Sequence, residues 1–255
     1  MQGLAPRMLG RRIERVELRQ PRVLVGEVGR AADFTVAAVR RQGKHILIDL
    51  RRGRRTAHLA VHLGMTGQLV LDGEPGRHTH ALFLFDDGLR LLYNDIRQFG
   101  RLEFCERLPQ RFQRLGPDPF HLSEEEFARR FRSRRSMAKA LLLDQSFVSG
   151  LGNIYADESL FRAGIHPRAI AARLRRARAG GLHRAIVEVL QESILHGGSS
   201  ISDFVSSDGH RGRFQLLHRV YRRTGQPCAV CGVPIRRILV ASRGTHFCPR
   251  CQKAG

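Results

Sequence analysis

The chain changes rhythm once. From residue 12 to about residue 108, apolar and polar positions alternate with a period near two; beyond residue 121, apolar positions recur every three or four. Arg12–Leu18, Thr35–Leu50, Thr56–Leu63 and Gln68–Leu71 alternate as half-buried strands do. The clearest hairpin is Leu82-Phe83-Leu84-Phe85, then the turn Asp86-Asp87-Gly88, then Leu89–Tyr93, because Asp-Gly between apolar runs is a strong turn signal. Leu102-Glu103-Phe104-Cys105-Glu106 also alternates, which makes Cys105 a strand residue and not a catalytic thiol. Several short strands joined by such turns predict a sandwich or barrel.

Leu115-Gly116-Pro117-Asp118-Pro119 interrupts the pattern and reads as a linker. Ser123-Glu124-Glu125-Glu126 is a capping box, with Ser123 as N-cap and Glu126 reaching back to its amide. Further helices are predicted over Ser136–Leu143, from Asn153 to Gly164, and over Ala177–His196, where Leu182, Ile186, Val189, Leu190 and Ile194 form one core-facing stripe. The class is α+β and multidomain: a β domain over 1–108, a linker over 109–120, a helical domain over 121–218 and a small C-terminal module over 219–255.

That module holds four cysteines in two C-x-x-C pairs, Cys228/Cys231 and Cys248/Cys251, with sixteen residues between the pairs. Two such knuckles complete a closed tetrahedron around one Zn²⁺, a structural site with no position open for water. Two disulfides are the alternative, and nothing else suggests a secreted protein: no signal-peptide core follows Met1. No run of eighteen apolar residues is present, so no membrane span is expected. The 44 Lys+Arg against 23 Asp+Glu give a net charge of +21. A surplus of this size points to a polyanion partner, most often nucleic acid. Only Lys44, Lys139 and Lys253 are lysines, against 44 − 3 = 41 arginines. Arginine suits phosphate through its planar two-bond fork.

Taken together, His62-Leu63-Gly64-Met65-Thr66-Gly67, Asp95-Ile96-Arg97-Gln98-Phe99-Gly100, Gly150-Leu151-Gly152-Asn153-Ile154-Tyr155-Ala156-Asp157-Glu158-Ser159, Ser207-Asp208-Gly209 and the two cysteine pairs resemble the bacterial formamidopyrimidine-DNA glycosylases. The resemblance runs from about Gly3 to Lys253. It implies an N-terminal β-sandwich, a helix–two-turn–helix domain and a C-terminal β-hairpin zinc finger, with DNA in the cleft between domains. It implies base-excision repair of oxidised purines followed by strand cleavage. The enzyme would act as a monomer on damaged double-stranded DNA, in the bacterial cytoplasm near the nucleoid. An enzyme acting on a base takes it out of the stack, and the gap must be filled. By resemblance Met65, Arg97 and Phe99 fill it: a flexible apolar chain, a donor for the orphaned base and a flat wedge. Core packing is the bland reading for Met65 and Phe99, and the flanking Gly64, Gly67 and Gly100 favour exposed turns instead. By resemblance Lys44, His62, His78, Arg134, Arg135, Lys139 and Arg243 meet phosphates around the lesion, and Asn153, opening a helix after Gly150-Leu151-Gly152, brings backbone amides that bind phosphate. Lys44 is also a proton donor in β-elimination, and Arg243 is assigned to δ-elimination. His80 and the other arginines read as solvated. The loop Ser199–Phe214 resembles the one that closes over flipped 8-oxoguanine, which favours this branch over endonuclease VIII enzymes for oxidised pyrimidines.

The family's nucleophile is an N-terminal proline, followed by a catalytic glutamate, in Pro-Glu-Leu-Pro-Glu-Val-Glu. This chain begins Met1-Gln2-Gly3-Leu4-Ala5-Pro6, just inside the family's first helix. The expectation is inactivity in this form and activity with a natural start further upstream. A non-catalytic binder of DNA lesions is the alternative. A zinc-finger transcription factor is disfavoured, because the residues around the cysteines read as a hairpin and not a recognition helix.

Overall fold

The structure is a computed structural model and describes residues 3–199 and 212–253. The described residues form two compact units, one built on residues 3–113 and the other on 114–198 and 214–253. The helices and the cysteine-bearing hairpin, separate modules in the sequence reading, share the second unit.

The first unit begins with a four-residue helix, α1 (Ala5–Met8), whose Met8 is buried. Nine strands follow: β1 (Ile13–Leu18), β2 (Leu24–Val25), β3 (Thr35–Gln42), β4 (His45–Arg52), β5 (Arg55–His62), β6 (Gly67–Leu71), β7 (Thr79–Phe85), β8 (Arg90–Asp95) and β9 (Arg101–Cys105). They make two sheets, ordered β1-β7-β8-β6 and β2-β9-β5-β4-β3. All neighbours are antiparallel except β2 and β9. Alternate residues of both sheets turn inward and share one core, with Ile48, Leu50, Leu59, Val61, Phe83, Phe85, Leu91 and Tyr93 buried. Each such side chain contributes roughly 1.5–3 kcal/mol through burial, before chain entropy is counted.

Thr35–Leu50, one alternating stretch in the sequence, is two strands. Gly43 (φ 58°) opens a two-residue turn closed by the Gln42–His45 pair. A positive φ at the first central residue alone is the hairpin geometry that glycine favours, and it leaves Lys44 at the tip.

In the second unit, α2 (Glu124–Arg132) starts where Ser123 Oγ accepts the Glu126 N–H at 3.1 Å. Its first turn carries three glutamates and its last turn three arginines, matching the helix dipole. α3 (Ala138–Leu143) is shorter than predicted because Met137 is extended and bridges Ile170. α4 (Asn153–Arg162) and α5 (Arg176–Leu195) follow. Phe127, Phe131, Leu142, Val148, Leu160, Leu182 and Ile186 fill their common core. Ile194, expected in the same stripe, is exposed at the end of α5. The hairpin of β10 (Arg236–Val240) and β11 (Arg243–Phe247) closes the fold, with a third cluster of Phe161, Val220, Cys228, Ile235 and Cys248. Among the described residues no helix is long and apolar enough to cross a membrane.

Candidate nucleic-acid interface

Two loops of the first unit bring Met65, Arg97 and Phe99 together. Met65 is 59% exposed and Phe99 55%, which removes both from the core. The Arg97 guanidinium lies 4.8 Å from the Phe99 ring centroid, and its Nη1 is 3.6 Å from Met65 Sδ. Beneath these exposed tips lies Asp95, fully buried at the end of β8. Thr66 Oγ1 donates to Asp95 Oδ1, and the Gly100 N–H donates to Oδ2 at 2.7 Å. The Arg97 N–H in turn donates to Thr66 Oγ1 at 3.0 Å. One carboxylate therefore pins both loops. The sequence reading put the neighbouring glycines at exposed turns, yet Gly67 and Gly100 are buried. A Cβ on Gly100 would lie 2.1 Å from Tyr93 Oη, and one on Gly64 (φ 60°) 2.8 Å from Gly100 N. These glycines permit close approach of the chains.

Lys44 is exposed on its tight turn. His62 is half-buried, accepts the Gly64 N–H on Nδ1 at 3.2 Å, and its ring centroid lies 5.0 Å from that of His45. Burial, then Lys44 and Arg101, hold its pKa below the ordinary value. His45 is lowered to about 4 by burial and then by His62 and Arg111. The His45 ring is therefore neutral at physiological pH. His78 is partly exposed and takes the Arg77 Nε–H on Nε2 at 2.8 Å. His80, expected to be solvated, is fully buried, with Nε2 2.8 Å from Asp95 O. Its ring serves the same Asp95 corner.

In the second unit all four cysteine sulfurs lie within 4.8 Å of one another, with Cys231–Cys248 at 3.4 Å and Cys228–Cys251 at 3.9 Å. A tetrahedron with Zn–S bonds of about 2.3 Å needs sulfurs about 3.8 Å apart, so the cage fits the ion. The Val230 and Cys251 amides point at Cys228 and Cys248 Sγ, as knuckle geometry requires. The metal is a structural Zn²⁺ bound by thiolates alone, and it closes the loop that carries the β10–β11 hairpin.

The tip of that hairpin is unusual. Ala241 (φ 49°) and Ser242 (φ 57°) both adopt left-handed backbone, though neither is glycine. Each costs about 1 kcal/mol, so the surroundings must enforce the turn. Arg243 follows, exposed, and the next three residues are locked onto α3 and α4. Gly244 O accepts Lys139 Nζ at 3.2 Å and Asn153 Nδ2 at 3.0 Å. Thr245 Oγ1 accepts Lys139 Nζ at 2.7 Å. The His246 N–H donates to Asp157 Oδ2 at 2.9 Å, and Lys139 Nζ stands 2.6 Å from Asp157 Oδ1. Lys139 and Asp157 are both 0% exposed. Lys139, grouped with the phosphate contacts in the sequence reading, therefore has no surface of its own. Burial draws its pKa down while Asp157 draws it up.

Asn153 begins α4 after Gly152, with no side-chain cap and no acid in the first turn, the arrangement that suits an anion. Arg134 and Arg135 are exposed in the turn after α2, and among the described residues neither forms an ion pair. One turn along α4, Glu158 accepts the backbone amides of Arg219, Val220 and Tyr221 at 2.8–3.0 Å. Sequence reasoning missed Asp95, Asp157 and Glu158 as organisers. The signal was present: acids are scarce here, and Asn153 and Asp157 share a helix face at i, i+4. Most of the loop Ser199–Phe214, including Ser207-Asp208-Gly209, lies outside the described residues.

Comparison with known proteins follows this division of the chain. The formamidopyrimidine-DNA glycosylase N-terminal domain matches residues 1–102, that family's H2TH domain residues 115–205, and the zinc finger found in FPG and IleRS residues 225–254. Formamidopyrimidine-DNA glycosylase of Solibacter usitatus is 50% identical over 258 residues, covering 99% of this chain and 96% of that protein. The enzyme of that name from Desulforamulus reducens is 39% identical, covering 100% and 96%. Among solved structures, the MutM (FPG) protein of Thermus thermophilus superposes with a TM-score of 0.85 at 41% identity, over 97% of this chain and 93% of that one. Lactococcus lactis Fpg in complex with abasic-site DNA gives 0.86 at 34% identity, over 99% and 96%.

Proposed function

Because the chain belongs to the formamidopyrimidine-DNA glycosylase family, we propose that it excises oxidised purines (8-oxoguanine and formamidopyrimidines) from double-stranded DNA and then nicks the strand by β,δ-elimination. The exposed cluster of Met65, Arg97 and Phe99 above a buried aspartate carries this reading. Here two exposed apolar side chains and a guanidinium are gathered on two tied loops, and a flipped base leaves a gap that such side chains fill. Arg97 offers donors to the base left without a partner. Lys44, His62, His78, Arg134, Arg135, Asn153 and Arg243 supply the phosphate contacts, with Lys44 as proton donor in β-elimination and Arg243 serving δ-elimination. The protein works as a monomer on bacterial chromosomal DNA.

The glycosidic bond is broken by an N-terminal secondary amine, which attacks C1′, expels the base and leaves a Schiff base. An α-amino group titrates near pH ~8, so it is partly unprotonated at neutrality. A protein carrying Pro-Glu-Leu-Pro-Glu-Val-Glu upstream of Gly3, with its initiator removed, should be trapped on an abasic-site duplex by borohydride and should cleave at 8-oxoguanine. Efficient excision after that terminal amine is blocked by acetylation would overturn the nucleophile assignment. In the proline-bearing protein, Phe99→Ala should lower excision at least about tenfold, near 1.4 kcal/mol of barrier, with an unchanged melting temperature. A loss that merely tracks unfolding would return Phe99 to a packing role.

A further inference from the structure

Lys139 and Asp157 form the only ion pair among the described residues in which both side chains are fully buried. The solvation that two charges lose on burial is large, and apolar residues of similar volume would fill the space as well or better. The pair's outward bonds show what it holds. Lys139 Nζ binds Gly244 O and Thr245 Oγ1, and Asp157 Oδ2 binds the His246 amide. These are the three residues that follow Arg243. Asn153 Nδ2 binds the same Gly244 O. Thr245 Oγ1 also donates to Arg243 O at 3.0 Å. The strained Ala241-Ser242 turn fixes Arg243 from the other side.

We propose that Lys139 and Asp157 are positioning residues that hold Arg243 and Asn153 in one rigid phosphate clamp, so that the two make their DNA contacts as a unit. Lys139 then contributes to binding without meeting a phosphate. The inference rests on the reading of Arg243 as a phosphate contact. It separates from the reading, suggested by residue type, of Lys139 as one more cation facing DNA. A buried ammonium already shared by a carboxylate, a carbonyl and a hydroxyl has no donor to spare.

The test is a double-mutant cycle on the binding of a non-cleavable abasic-analogue duplex, followed across a salt series. Arg243→Ala should flatten the log–log salt slope by about one unit, the loss of one phosphate contact. Lys139→Met should flatten it by about the same amount, and the double variant by no more than either alone. Because Lys139→Met strands Asp157, the pair Lys139→Met with Asp157→Leu is measured too. It should keep one zinc per chain and a cooperative melt, yet show the same flattened slope. Slopes that add to about two units would make Lys139 a direct phosphate contact and overturn the proposal. A parental slope in both Lys139 variants, beside a flattened Arg243→Ala, would reduce the pair to core structure. An unchanged slope in Arg243→Ala itself would instead remove the phosphate reading on which the proposal stands.

Discussion

Each unit keeps an aspartate at zero exposure beneath its candidate contact residues, and the two are wired differently. Asp95 receives a hydroxyl and one backbone amide, both uncharged. Asp157 faces an ammonium on one oxygen and the amide and ring of His246 on the other. The first pins the β5–β6 and β8–β9 loops, each of which passes from one sheet to the other and carries an exposed apolar side chain at its tip. The second joins two helices to a hairpin whose stability also depends on metal. A carboxylate that accepts only from uncharged donors tolerates exchange for an amide better than one paired with an ammonium. The difference shows which contacts are set locally and which are set through the fold.

Metal removal should break the comparison most sharply. Structural zinc in small domains contributes on the order of 10–16 kcal/mol. Cys248→Ser should therefore lose the ion and unravel the β10–β11 hairpin, while the first unit keeps its own cooperative melt. Calorimetry would show one transition becoming two, and a single unchanged transition would deny the units their independence. Next in size is Asp157→Asn, which turns an amide toward Lys139 or toward His246, both donors. A loss of about 3–5 kcal/mol in denaturant unfolding is expected. Gly100→Ala should follow at about 1–3 kcal/mol, because the new Cβ meets Tyr93 Oη, His62 O and Asp95 Oδ2.

Asp95→Asn should be mild, about 1 kcal/mol. The amide oxygen still accepts from Gly100, and Nδ2 can donate to Thr66 Oγ1. An equal cost for the two Asp→Asn changes would erase the proposed contrast. The effect that is smallest at neutral pH is one that both units share. His45 in the first and His218 in the second have pKa values lowered to about 4, chiefly by burial. The unfolded chain takes up these protons near pH 6.5 and the folded chain only near 4. Stability from this source is intact above about pH 6.5 and declines as pH falls through that window. Replacing either histidine by leucine should flatten the acid limb of a stability–pH curve.

Much of the molecule was legible beforehand because its signals are local. Period-two alternation marked most of the strands, Asp-Gly marked the β7–β8 turn, and Ser123 marked the start of α2. The cysteine spacing specified the zinc cage. The Gly43 turn was missed because Gly-Lys sits inside a polar run, residues 40–45, without the Asp-Gly or Asn-Gly pair that marks a hairpin most strongly. Lys139 and His80 are buried for one shared reason. Charge and residue type suggest solvent, while burial depends on partners distant in sequence: Thr245 for Lys139, Asp95 for His80. Order of motifs singled out Met65, Arg97 and Phe99, which the structure brings together, but the buried acid beneath them leaves no periodic trace.

The tight approach of Gly64 to Gly100 has a consequence for how the protein can evolve. Most single-base changes in the first two positions of a glycine codon install a Cβ, and at these sites that atom lands on neighbouring backbone or on the Tyr93 phenol. Drift is thereby closed off in the joint between the loops. Met65 and Phe99 point into open solvent, where almost any side chain fits. Variation is thus channelled to the two exposed tips, one codon at a time, over a platform that has no neighbouring solution.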